Sequence, residues 1–146
     1  MARILAVDWG VRRIGLAVSD PLGILATGLT TWVVQGEGEA VAKVADTSRE
    51  VEAEALVVGL PLTLAGDKGQ AALAAERFAA KLAKATGLPV HLYDERLTSA
   101  MAQRRLQETG TKTRGKKGRV DAGAAVALLE GWLAKARYER REDDAQ

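Results

Sequence analysis

The first twenty residues constrain this chain more than any other stretch. Ile4-Leu5-Ala6-Val7 is an apolar run that ends in a carboxylate, Asp8, and Ile14-Gly15-Leu16-Ala17-Val18 is a second such run. The short segment between them carries Gly10, Arg12 and Arg13. Two β-forming runs around a glycine-bearing turn predict a hairpin. The first strand is almost wholly apolar, so it is expected to be buried on both faces of a sheet. A buried strand ending in Asp beside a glycine-opened turn aims that Asp into a cleft. The competing reading is that Asp8 only starts the turn, as Asp often does.

The rest of the chain follows in regular punctuation. Pro21 and Gly23 mark a second turn, and Thr27 to Val34 reads as a third strand, antiparallel to its neighbour. After Gln35-Gly36-Glu37-Gly38, the spacing of Val41, Val44, Ala45 and Val51 predicts a helix over Glu39 to Glu54. Ala55 to Leu60 is a continuous apolar run, expected to be a buried parallel strand, and Pro61 to Gly69 a loop. Gln70 to Thr86 reads as an Ala-rich helix with Leu73, Phe78 and Leu82 in the core and Gly87 as its stop. Pro89 to Tyr93 is the fifth strand, ending at Asp94-Glu95. Thr98 or Ser99 caps a helix through about Glu108. A basic loop follows, and Asp121 opens a last helix with Val126, Leu129, Trp132 and Leu133 as its apolar stripe. This order is that of an α/β protein: a five-stranded mixed sheet, its first three strands antiparallel, with helices on both faces. One domain is expected over residues 1–137, with a charged tail at 138–146.

Composition removes several classes of chemistry. There are no cysteines, which excludes disulfides and thiolate metal sites, and the single His91 leaves no basis for a His-built zinc centre. Any metal is expected on carboxylates, which favours Mg or Mn. No apolar run approaches the roughly 20 residues of a membrane helix and no signal peptide opens the chain, so a cytoplasmic protein away from membranes is expected. The net charge is only +2, yet Lys112, Arg114, Lys116, Lys117 and Arg119 fall within eight residues. Such a cluster is either a solvated loop or a grip for an anionic partner, with nucleic acid the natural choice.

Three acids are placed to do chemistry. Ligands of open α/β sheets gather beyond the carboxyl ends of the parallel strands. Asp8 ends the first strand, Glu95 follows the fifth, and Asp121 begins the last helix. Three carboxylates meeting there call for a cation. Two divalent ions about 4 Å apart would activate water and stabilise the leaving oxygen of a phosphodiester. Each acid also has an ordinary role open to it: Asp121 as an N-cap, Glu95 and Asp94 as turn residues. Arg12, Arg13 and Arg96 flank the acids, either as phosphate contacts or as structural ion pairs. Trp9 stacks on a base or plugs the core. Gly110 to Lys116 matches most of a P-loop, but Lys117 stands where the metal-binding hydroxyl belongs.

Four segments then resemble one family in order. They are Val7-Asp8-Trp9-Gly10 through Asp20, Val58-Gly59-Leu60-Pro61-Leu62, Asp94-Glu95-Arg96-Leu97-Thr98, and Lys116 through Leu129. Together they resemble the YqgF family, also called RuvX, over roughly residues 1–137. The resemblance implies the ribonuclease H-like fold, Mg or Mn held by Asp8, Glu95 and Asp121, and a nuclease acting on the 5′ end of pre-16S rRNA or on Holliday junctions. On this reading Lys112 to Arg119 grip structured RNA, or branched DNA as the alternative, and symmetric junction cleavage would require a homodimer. The related RuvC resolvases use a fourth acid one helical turn after the third, and here that place is Ala124, unless Asp94 or Asp20 substitutes. Two other classes compete: a non-catalytic nucleic-acid-binding module, and a phosphotransferase of the actin and sugar-kinase type, for which one domain is too short.

Overall fold

A computed structural model of the chain describes residues 2–10, 12–100 and 122–145. Five strands form one sheet: β1 (Arg3–Trp9), β2 (Arg13–Ser19), β3 (Ala26–Val33), β4 (Ala53–Leu60) and β5 (Val90–Asp94). Their order across the sheet is β3-β2-β1-β4-β5. β1 pairs antiparallel with β2, and β2 with β3, while β4 runs parallel to both β1 and β5. The expected mixed sheet is therefore present, with β1 in the middle.

Among the described residues three α-helices cover it: α1 (Glu37–Glu50), α2 (Gln70–Thr86) and α3 (Gly123–Ala145). Strand alternation divides the core between the two faces. Leu5 and Val7 of β1 join Ile14, Leu16, Leu56 and Val58 against Val44 of α1 and Phe78 and Leu82 of α2. Ala6 joins Ala17, Val57 and Tyr93 against Ala125, Leu128, Leu129 and Leu133 of α3. On this second face Ala6 and Ala17 of the sheet share a core with Ala124 and Ala125 of α3.

Several expectations shift. The first helix stops at Glu50 rather than Glu54, because Glu52 takes a left-handed conformation (φ 56°) that turns the chain straight into β4. That strand consequently begins at Ala53. Leu73, expected in the core, is 41% exposed, since α2 turns Ala72, Ala75 and Phe78 to the sheet instead. Val126 and Trp132 sit at the margins of the α3 stripe, half-buried, while Leu129 and Leu133 are buried. The last helix continues through the charged segment as far as Ala145. The helix expected after Ser99, the basic loop and the stretch resembling a P-loop lie outside the described residues.

Candidate active site

The site is built across three parallel strands at their carboxyl ends. Asp8 continues the buried run Leu5-Ala6-Val7 and is itself only 6% exposed. Alternation sends it to the α3 face, as it does Ala6. The register Val7↔Val58 places Asp8 beside Gly59 of β4, about 4.8 Å away across the sheet. Gly59 in turn pairs with Tyr93 of β5. Two residues later Glu95 opens a single 3₁₀ turn, Glu95–Leu97, and is 1% exposed.

Gly59 explains how Glu95 reaches Asp8. A Cβ added at Gly59 would collide with the Glu95 side chain, lying 2.9 Å from its Cγ and 3.0 Å from its Cδ. The Glu95 carboxylate thus occupies the space above the Gly59 backbone, next to Asp8. Sequence reasoning chose both acids but treated Gly59 as one more member of an apolar strand. The available signal was a lone glycine inside that strand, which marks close approach of another group.

The turn that carries Glu95 is pinned from both sides. Asp94 accepts from the Arg96 amide at 2.9 Å, and its two oxygens take the Arg96 guanidinium at 2.8–3.1 Å. This hydrogen bonding holds the Asp94 carboxyl below its usual range and pushes the Arg96 guanidinium further up. Arg96 also donates to the carbonyls of Thr63 and Leu64, each at 3.4 Å. Arg96 is therefore engaged in a structural ion pair. Thr98 donates to the Glu95 carbonyl at 3.0 Å and accepts from the Ala100 amide at 3.0 Å, a capping arrangement rather than that of a nucleophile. Tyr93 donates to the Gly131 carbonyl at 3.3 Å, tying β5 to α3, and burial pushes its phenol up.

The remaining candidates separate by position. Arg12 and Arg13 are exposed at the hairpin end that carries Asp8, where the Gly10 amide donates to the Arg13 carbonyl at 2.8 Å. Trp9 stacks on Phe78 with ring centroids 4.5 Å apart, so it is a core plug and not a base platform. Asp20 accepts from the amides of Ile24 and Leu25 at 2.7 and 2.9 Å at the opposite end of the sheet, and those bonds lower its pKa. Asp94 is engaged by Arg96, and Ala124 is wholly buried. Asp121, Lys112, Arg114, Lys116, Lys117 and Arg119 lie outside the described residues. Ala122, next in the chain after Asp121, packs against Gly28 on the same sheet face as Asp8. Among the described residues no group of three metal-ligating side chains occurs. Two adjacent buried carboxylates, with neither thiolate nor imidazole beside them, suit a hard divalent cation.

Residues 2–135 match the RuvX family, described as Holliday junction resolvase. The chain belongs to the RuvX family. A RuvX relative from Anaeromyxobacter dehalogenans (strain 2CP-C) is 47% identical over 131 residues, covering 90% of this chain and 96% of its own. One from Koribacter versatilis is 43% identical over 140 residues, covering 96% and 92%. Both carry the provisional name pre-16S rRNA nuclease. The fold is also that of T. thermophilus RuvC, solved with a Holliday junction substrate, at a TM-score of 0.61 and 20% identity over 93% of this chain and 96% of that one. The chain thus has the ribonuclease H-like fold that the resemblance implied.

Proposed function

We propose that this chain is a divalent-metal-dependent nuclease, acting in the cytoplasm on the 5′ end of pre-16S rRNA. The observation that carries the reading is the pair of buried acids, Asp8 and Glu95, brought together over Gly59 at the carboxyl ends of β1 and β4. Membership of the RuvX family and the names of its relatives support the reaction and the substrate. Asp8, Glu95 and Asp121 would hold Mg or Mn. When bound, such ions activate water and offset the charge that develops on the leaving oxygen. The chain itself supplies the rest. Burial fixes the two acids, the Asp94–Arg96 pair fixes the turn that carries Glu95, and Arg12 and Arg13 stand at the same end to meet backbone phosphates. Lys112, Arg114, Lys116, Lys117 and Arg119 would add the sequence-independent grip.

The description of the RuvX family favours a second substrate, branched DNA. Symmetric cleavage of a junction needs two active sites, hence two copies of the chain. One experiment separates the readings. A labelled pre-16S rRNA fragment, a four-way DNA junction and unstructured RNA are incubated with Mn, with and without EDTA, using wild type and Asp8→Asn. Cleavage should require metal and fall on the order of 100-fold or more in the variant. The substrate that is cut decides between rRNA and junction. Metal-independent binding without cleavage, the same in both proteins, would leave a binding module.

A further inference from the structure

The segment from Pro61 to Gly69 follows β4 and borders the turn that carries Glu95. It carries Leu64, which is 89% exposed, the most exposed of the large apolar side chains described. A single exposed leucine on a loose loop would need no explanation. Leu64 is not on a loose loop. The Thr63 amide donates to the Asp67 carbonyl at 3.0 Å, the Gly66 amide to the Thr63 carbonyl at 2.8 Å, and the Asp67 amide to the Thr63 hydroxyl at 3.0 Å. Gly66 turns the chain at φ 90°, a conformation that glycine adopts freely. The Arg96 guanidinium holds the outer side of this turn through the Thr63 and Leu64 carbonyls, and its own partner is Asp94. The backbone of Leu64 is therefore fixed to the residue next to Glu95. On the other side of Arg96, Leu97 is 67% exposed. Two exposed apolar side chains thus flank Arg96, the residue after Glu95, and the backbone of Leu64 is hydrogen-bonded in place.

We propose that Leu64 is a wedge that packs against a nucleobase of the bound strand beside the scissile phosphate, with Leu97 as its neighbour. Apolar side chains inserted at a base step unstack it and bend the strand. Rigid presentation matters because the side chain is held in place before the strand arrives, so less ordering is required on binding. A wedge at this place directs cutting to steps that open cheaply: bulges, helix ends and the branch points of folded nucleic acid. Leu64 touches base and not reacting atoms, so it is a specificity and positioning residue. The inference rests on the nuclease reading above and goes beyond it by naming the feature of the substrate that is read.

The test uses the full chain carrying Asp8→Asn, which binds without cutting, and two probes with 2-aminopurine placed along the strand. The probes are a pre-16S rRNA 5′-end fragment and a four-way DNA junction. Binding should raise fluorescence at one or two positions of the probe that is bound. Adding Leu64→Ser should abolish that rise while the salt dependence of binding stays the same, because phosphate contacts are untouched. Leu64→Met should restore it. In the otherwise unmodified protein, Leu64→Ser should lower kcat/KM on the order of tenfold for structured probes and less for unstructured RNA. Leu22→Ser, a 58% exposed leucine at the far end of the sheet, serves as control and should change neither readout. Thermal midpoints of all variants should match. A fluorescence rise that survives Leu64→Ser, or no rise in a probe that is bound and cut, overturns the wedge and leaves the nuclease standing. No binding to either probe overturns both.

Discussion

Gly59 sets the geometry of the site without contributing a side chain to it. Replacing it with Ala puts a methyl group where the Glu95 side chain now lies, and the crowding falls on a carboxylate and its hydrogen-bonded turn. Gly59→Ala should lower metal-dependent cleavage about as far as Glu95→Gln does, and it should cost about 1–3 kcal/mol in urea unfolding. A variant that folds and cuts like wild type would show that Glu95 needs no such space. Asp94 acts at the same scale. Arg96 holds its carboxyl below the ordinary 3.8, so the ionised form stabilises the fold at any pH above that ordinary value. The contribution is lost as pH falls through the lower, folded value. Asp94→Asn should therefore lower Tm at neutral pH, and the gap to wild type should close in acid below about pH 4. The two acids were legible in the sequence because each follows an apolar strand. Their alliance was not, since it depends on the register of β4 between them.

At the level of elements, hydrophobic pattern located every described strand and helix, because each buries a continuous stripe or run. The ends moved where a single residue overrode the pattern. Glu52 does so with its left-handed backbone, which no propensity scale anticipates at a glutamate. Leu73 was misplaced for a different reason: in an Ala-rich helix several faces look equally apolar, and Phe78 decides which one turns inward. Phe78 is fully buried, lies within the core of β1, β2 and β4, and stacks on Trp9, the residue after Asp8. Phe78→Ala should destabilise the chain by about 3–5 kcal/mol. Because Trp9 then loses its stacking partner, cleavage should also fall at temperatures well below the new midpoint, which a paired activity and unfolding measurement would detect. An activity loss that only tracks the unfolded fraction would confine Phe78 to stability.

Across the whole molecule, one face of the sheet packs under α1 and α2 and the other under α3, with the acids on the α3 face. A divalent ion that binds the folded pair and not the unfolded chain must stabilise the fold by mass action, by about 2.7 kcal/mol at a hundredfold excess over Kd. Mn should thus raise Tm by several degrees in wild type and not in Asp8→Asn, as read by calorimetry. The placement of β5 has one more outcome. Asp8 belongs to the first strand made, but Glu95 reaches it only after β5 has docked on β4, which itself must first pair with β1. A chain still emerging from the ribosome, with its amino end folding first, holds half of the acid pair. The two acids are therefore brought together late in synthesis, once the parallel half of the sheet has formed.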